Sequence, residues 1–152
     1  MNRLRKLAIA TVTLIVVLAL GFEASAQEKK ITKKDVPQTV TSAFEKAYPK
    51  AEVKGYSAET EEGKTLFEIE SIQDTMSLDV SYLADGTVAE IEAGVAAANL
   101  PDSVKAAVNT NYPKGTITKA EKKTVGTIVT YELKVTTDKT TLGVNIDPSA
   151  RS

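Results

Sequence analysis

Residues 36–50 read VPQTVTSAFEKAYPK, and residues 100–114 read LPDSVKAAVNTNYPK. The two stretches lie 64 positions apart, and this step aligns the Tyr-Pro-Lys at 48–50 with the Tyr-Pro-Lys at 112–114 without a gap. An offset that also holds for segments further along the chain is typical of an internal repeat. The sequence therefore predicts a tandem duplication, in which the repeated Tyr-Pro-Lys marks architecture rather than a site used twice.

The first part of each stretch has helical periodicity. Val40, Ala43, Phe44 and Ala47 fall at i, i+3, i+4 and i+7, which places one apolar stripe on a helix. A proline opens each stretch, where a first helical position needs no N–H partner. The proline after each Tyr disfavours the helical conformation for that Tyr. We therefore predict two helices that end at Tyr, and the second stripe consists of Val104, Ala107, Val108 and Asn111.

After each Tyr-Pro the apolar period changes from helical to two, which is typical of antiparallel strands with one covered face. A unit of about 60 residues buries its elements poorly alone, so two units should share one core. We predict an α+β fold of two tandem helix-plus-antiparallel-meander repeats in one compact body. The predicted strands are 51–60, 64–72, 75–83 and 87–95 in the first repeat, and 115–124, 126–135 and 140–146 in the second.

The predicted domains follow from this pattern and from the N-terminus. Basic residues precede an apolar run from Leu7 to Leu20, and Ala24-Ser25-Ala26 follows, which predicts a signal peptide over 1–26 that is cleaved after Ala26. The run is shorter than the roughly 20 residues of a spanning helix. We expect a periplasmic or secreted bacterial protein without stable membrane anchoring. The mature chain comprises a charged mobile lead (27–34), repeat 1 (35–98) and repeat 2 (99–152), which lacks the last strand.

Charge is distributed unevenly over the two repeats. Residues 35–98 contain thirteen Asp and Glu against four Lys, a net charge of −9, whereas residues 99–152 contain five against eight, a net charge of +3. Such asymmetry can steer an oppositely charged partner or favour head-to-tail self-association, and it leaves the oligomeric state open. Export and a pI of about 5.6 disfavour nucleic acid as a partner.

The residue types that most catalytic sites need are missing. The chain has no His and no Cys, so the usual nucleophile–base pairs and zinc sites cannot form. We expect no enzyme activity, no cofactor and no metal site. Weak calcium binding at Glu59, Glu61 and Glu62 is conceivable because carboxylates suit hard cations. No looped ligand spacing supports it, and solubility and turn formation explain these residues better.

We predict that the polar alternate positions of the strands form an uncovered sheet face that binds a partner protein. An envelope or extracellular protein is the partner that export favours. The strand phases place eight residues on this face: Lys54, Tyr56, Glu68, Glu70, Asp79, Thr130, Glu132 and Lys134.

The chain resembles the PepSY-like family of β-lactamase-inhibitor-like proteins over residues 35 to 147. The resemblance rests on the exported start, the Val-Pro or Leu-Pro helix opening, the Tyr-Pro closure, and the strand cores Phe67-Glu68-Ile69 and Tyr131-Glu132-Leu133. It implies a non-enzymatic envelope protein that binds or inhibits another protein, such as a peptidase or a β-lactamase.

Inhibitors of related architecture insert hairpin tips into their target, so the resemblance also implies a role for the tips at 73–75 and 137–139. The 64-residue step pairs Asp74 with Asp138 there, although Asp also simply favours turns. Those inhibitors use disulfides and aromatic-rich sheets, whereas this chain has no Cys and no Trp. Two alternatives remain open: a small-ligand or cation-binding sensor of the envelope, and a structural envelope protein without a specific partner.

Overall fold

The computed structural model describes residues 28–61, 63–138 and 140–148. The predicted signal peptide and its cleavage site lie outside these residues. No helix within the described ranges is long and apolar enough to cross a membrane. The helices are α1 (Gln38–Ala47) and α2 (Asp102–Asn111), and the strands are β1 (Lys29–Ile31), β2 (Glu52–Glu61), β3 (Lys64–Gln73), β4 (Met76–Leu83), β5 (Val88–Gly94), β6 (Thr116–Val125), β7 (Ile128–Thr136) and β8 (Thr141–Ile146).

All eight strands belong to one antiparallel sheet, in which their spatial order equals their order in the chain. Strand β5 pairs with β4 on one side and with β6 on the other. The two halves of the chain therefore form a single continuous sheet rather than two separate domains. The predicted α+β class and the single compact body are confirmed.

Both helices pack on the same face of the sheet. Ala93 of β5 packs against the core under α1 and pairs with Lys122, two residues from Ala120 in the core under α2. Since side chains alternate between the faces of a strand, these two cores lie on one side. The first core consists of Val36, Val40, Phe44, Ile69, Leu78, Val80 and Tyr82, and the second of Leu100, Val104, Val108, Ala120, Tyr131, Leu133 and Val135.

The helices end where the sequence predicts. The N–H of Tyr48 donates to the carbonyl of Phe44 at 2.8 Å, and the N–H of Tyr112 donates to the carbonyl of Val108 at 2.7 Å. Each helix begins one residue later than predicted. Pro37, for example, has an extended backbone with ψ 140° and precedes the first helical residue, so it caps the helix instead of opening it.

The prediction of a mobile lead is corrected at its centre. Lys29–Ile31 forms the edge strand β1, which is hydrogen-bonded to Tyr56–Ala58 of β2. Ile31 is half-buried against the first core. The charged composition of residues 27–34 concealed this strand, because a single apolar residue anchors it and its backbone makes the remaining contacts.

Helix and strand bounds recur along the chain. Those of α2 and β6 lie 64 residues beyond those of α1 and β2 at both ends. The pairing of β2 with β3 shifts register between Val53 and Gly55, and the pairing of β6 with β7 shifts between Ile117 and Lys119, again 64 residues later. The two halves thus place a β-bulge at the same position of the same strand.

The β4–β5 hairpin docks its tip on α1. Thr39 Oγ donates a hydrogen bond to the carbonyl of Ala84. Gly86 has φ +87°, and a Cβ atom added there would lie 2.9 Å from the carbonyl oxygen of Thr39 and 3.5 Å from Cβ of Ala43. Glycine is therefore required at this turn both by its backbone conformation and by its contact with the helix.

We expect Gly86→Ala to lower the free energy of unfolding by at least about 1 kcal/mol more than Gly126→Ala. Gly126 is the matched control, because it also has a positive φ (+58°) in a hairpin tip but nothing within 4 Å of an added Cβ. Urea denaturation of the two variants measures the difference. Equal losses would contradict the close approach of the tip to α1.

Candidate functional site

The candidate site is the open face, which we define as the sheet surface opposite α1 and α2. No helix among the described residues covers it. Alternation along each strand brings polar side chains to this face. Its members include Ser57, Glu68, Glu70, Asp79, Ser81, Glu90, Glu92, Lys119, Glu121, Lys123, Thr130, Glu132, Lys134, Gly143 and Asn145, as the strand register places them.

A row of three carboxylates crosses β3, β4 and β5. Glu70 pairs with Asp79, and Asp79 pairs with Glu92 on the next strand. Adjacent strands lie about 4.8 Å apart, so like charges are held side by side. Glu68 lies on the same face of β3, two residues from Glu70. This half of the open face is therefore strongly acidic.

Two lysines border the acidic row. From the β1 edge, Lys30 forms an ion pair with Glu70 and a second one with Glu28 at 3.2 Å. From β6, Lys123 Nζ lies 2.7 Å from Glu90 and 3.1 Å from Glu92. These cations satisfy the two margins of the row and leave its centre without one.

The centre of the row carries carboxyls that no described cation neutralises. Burial raises the pKa of Glu68 to about 7, with further contributions from the charges of Asp79, Glu28, Glu70 and Glu92. Burial also raises the pKa of Asp79, although the backbone N–H of Ser71 donates to it at 3.2 Å and opposes the shift. Ionised carboxyls at these half-buried positions are thus destabilised by lost hydration and mutual repulsion.

For Lys123, burial disfavours the charged form, but hydrogen bonds to Glu90 and Glu92 outweigh it and raise the pKa of its ammonium. Lys123 Nζ also lies 4.0 Å from Glu132 on β7. This one cation therefore connects the acidic half of the open face to the half formed by β6, β7 and β8.

The second half of the open face is more basic and partly concave. Lys119 Nζ pairs with Glu121 at 2.7 Å, and the hydroxyl of Ser77 donates to Glu121 at 3.2 Å. A cleft of about 280 Å³ lies over β6–β8, and its lining includes Lys119, Lys134 and Gly143. Lys134 is exposed and forms no ion pair with any described residue.

Six of the residues predicted for partner binding lie on the open face, but they do not form one cluster. Three lie in the acidic half, and the other three lie on β7. These six are Glu68, Glu70, Asp79, Thr130, Glu132 and Lys134. Lys54 is exposed within the β2 bulge, where it pairs with Glu52.

The prediction is wrong for Tyr56. Its ring packs against the first core, on the helix-covered face. Both Val53 and Tyr56 pair with core-facing residues of β3, although they are three positions apart. The extra residue in the bulge reverses the alternation, so Lys54 and Tyr56 do not share a face.

The two acidic tips lie at the same end of the sheet without meeting. Asp74 has φ 50° in the β3–β4 turn, and Asp138 follows β7. Strands β3 and β7 run in the same direction with three strands between them, so the tips stand about 19 Å apart. Both aspartates are exposed.

Sequence reasoning missed the two lysines that organise the face. Lys30 falls in the lead that the sequence assigns to a mobile segment. Lys123 follows Lys122, and only the phase after the β6 bulge shows which of the two points to the open face. The alternation of Ala120, Glu121 and Lys123 was the available signal.

The conceivable calcium site gains no support. No group of three or more Asp, Glu, His or Cys side chains within the described ranges is arranged to hold a metal ion. Glu62 and the side chain of Glu61 fall outside what the structure describes.

We expect Glu68→Gln to raise the melting temperature relative to the parent chain at about pH 8 and to have little effect at about pH 5. The folded chain keeps the Glu68 carboxyl protonated up to a pKa of about 7, whereas an unfolded glutamate ionises near about 4.3. The stability that this carboxyl contributes is therefore complete at low pH and is lost as the pH rises through about 7.

Differential scanning fluorimetry at the two pH values measures this difference. Glu59→Gln is the matched control, since it removes a carboxylate from the same face near the β2–β3 tip. A Glu68→Gln effect that is equal at both pH values would contradict the destabilised carboxylate.

Comparison with known proteins places the fold. A family model described as "Putative beta-lactamase-inhibitor-like, PepSY-like" matches residues 22–88 and again residues 55–148. No curated protein matches this chain.

Solved structures similar to this chain come from Bacteroides. A DUF2874 family protein from Bacteroides uniformis has 15% identity and a TM-score of 0.61, covering 76% of this chain and 85% of its own. A BLIP-like protein from Bacteroides fragilis has 16% identity and a TM-score of 0.56, covering 74% and 79%. A "putative periplasmic" protein from Bacteroides eggerthii has 14% identity and a TM-score of 0.61, covering 74% and 82%.

At these identities the solved structures establish the shared fold alone. The family model is the stronger finding, because its two matches together span nearly the whole mature chain and include both helices and all eight strands. The chain therefore belongs to the PepSY-like, β-lactamase-inhibitor-like family.

Proposed function

We propose that this chain is an exported, non-catalytic module that binds a partner protein on its open face. The observation that carries the proposal is the pair of half-buried carboxyls, Glu68 and Asp79, which lie on the uncovered face without a described cation. A lysine or arginine of a partner would supply the missing charge in a site that is already partly desolvated.

The arrangement of charge favours a basic partner surface. Lys30 and Lys123 neutralise only the margins of the acidic row, and residues 35–98 carry a net charge of −9. A field of one sign over one half of the sheet accelerates encounter with an oppositely charged protein. Pairing at the centre of the row would then fix the orientation of the partner.

Family membership supports a binding role without catalysis, in agreement with the absence of His and Cys from the chain. Inhibition of a β-lactamase or a peptidase is the narrower form of this proposal. In that form, the tips with Asp74 and Asp138 contact the target from one end of the sheet. Hydrolysis by purified target enzymes, measured with and without the mature chain, tests it.

Location in the bacterial envelope is part of the proposal. The basic start, the apolar run and Ala24-Ser25-Ala26 favour export with cleavage after Ala26. The Bacteroides eggerthii protein of similar fold is described as periplasmic. Both observations support a partner in the periplasm or outside the cell.

We further propose that the two halves, residues 35–98 and 99–152, descend from one duplicated helix–meander unit. The shared 64-residue step of helix bounds, strand bounds and β-bulges supports this origin. Strand β5 then has two roles, since it closes the first meander and opens the second.

We expect a photo-crosslinking amino acid at Ser81 to form a discrete adduct with a partner protein in the bacterial envelope. Ser81 pairs with Glu68 and Glu90 on the open face. The matched position is Ser42, which is exposed on α1 on the opposite side of the molecule. Gel analysis after irradiation compares the two positions.

Asp79→Lys in the Ser81 derivative should weaken the adduct severalfold, because it replaces a half-buried acid with a like charge for a basic partner. Adducts of equal strength from Ser42 and Ser81, or an adduct that Asp79→Lys leaves unchanged, would count against binding on the open face.

A further inference from the structure

The two edges of the sheet differ in protection. Strand β1 has three residues, two of them Lys, whereas the six residues of β8 (TLGVNI) include no charge and no proline. No described strand pairs with the outer edge of β8. Natural sheets normally block such edges with charges, prolines or short strands, because unpaired backbone groups recruit further strands. Strand β8 lacks these devices.

The backbone of β8 offers a regular set of outward groups. The N–H of Thr137 donates to the carbonyl of Thr140 at 2.8 Å, which closes the β7–β8 turn. Hydrogen-bonded and non-hydrogen-bonded pairs alternate along an antiparallel ladder. Leu142 and Val144 therefore bond to β7, and Gly143 and Asn145 direct their N–H and carbonyl groups away from the sheet.

The first half of the chain contains a template for what covers such an edge. Strand β4 lies 64 residues before β8, and its outer edge is paired with β5. Ile91 and Ala93 of β5 pack against the first core, and Glu90 and Glu92 point to the open face. An alternating apolar and acidic strand thus completes the equivalent edge.

Beside β8 there is room for the apolar side of an added segment. In the first half, Thr39 and Ala43 of α1 contact the tip of the β4–β5 hairpin. The residues 64 positions later, Ser103 and Ala107 of α2, instead line an open cleft of about 460 Å³ together with Ile146. The flank that the hairpin covers on α1 is uncovered on α2.

Charge on the other side of β8 suits the acidic positions of a β5-like strand. Where the first half has Glu70 next to Asp79, the second half has Lys134 next to Gly143. Lys134 is exposed without an ion pair in the described part of the chain, and an added Cβ at Gly143 would meet nothing within 4 Å. An acidic side chain on an added strand could reach Lys134 over this glycine.

We propose that the outer edge of β8 accepts one antiparallel strand from a partner protein, an extended segment with alternating apolar and acidic side chains like those of β5. Its apolar side chains pack toward α2, and its acidic side chains face Lys134. A second copy fits less well through its β1 edge, which is three residues long and would bring Lys29 and Lys30 toward Lys134. This site is separate from the acidic row and does not depend on it.

A labelled peptide with the sequence of residues 87–95, TVAEIEAGV, is the probe. We expect saturable binding to the mature chain in fluorescence anisotropy. Gly143→Pro should weaken it about tenfold, because it removes an outward N–H while the bonds of β8 to β7 remain. Gly126→Pro, in a tip remote from β8, controls for a general effect of proline on the fold. Circular dichroism of both variants verifies folding.

A charge exchange keeps the test independent of proline. Lys134→Glu should weaken the peptide about fivefold, and a peptide with Lys at both Glu positions should recover the loss. Absence of binding, or binding that neither variant alters, would overturn the proposal. A dimer of the free chain that Gly143→Pro dissociates would also overturn it, since β8 would then pair with a second copy.

Discussion

The structure depends on the double pairing of β5. This strand bonds to β4 through Leu78–Tyr82 and to β6 through Glu121–Thr124. Because every sheet neighbour is antiparallel and consecutive in the chain, no other strand pairing joins the two halves. The shared ladder keeps both halves in one register, so α1 and α2 are obliged to pack on the same face. One-sided burial of the sheet follows directly from this junction.

One-sided burial explains the electrostatics of the other face. A continuous sheet eight strands wide removes water from the bases of its outward side chains even where nothing covers them. Glu68 and Asp79 therefore lose hydration while their neighbours are also acidic, and the pKa of each carboxyl rises. Lys30 and Lys123 reach only the margins of the row. The open face is thus held in a state that a basic partner would relieve, which is the physical basis for assigning it a binding role.

Much of the fold was predictable because it is encoded locally. The stripe through Val40 and Phe44, the proline after each Tyr and the alternation around Ile69 each report a local preference, and the structure follows all three. The strand β1 was missed because its pairing with β2 is made by backbone groups that no side-chain pattern reveals. Tyr56 was placed on the wrong face because one bulge residue reverses the alternation, and a bulge has no reliable signature in a single sequence.

The sequence by itself determined the helices, most of the strands, the 64-residue periodicity and the charge of each half, since these depend on neighbours along the chain. Only the tertiary structure decided that the halves share one sheet, that Lys30 and Lys123 border the carboxylate row, and that β8 ends the sheet with an unprotected edge. These features depend on contacts between residues distant in sequence, such as Lys30 with Glu70. Such contacts form only after β5 has fixed the register of both halves.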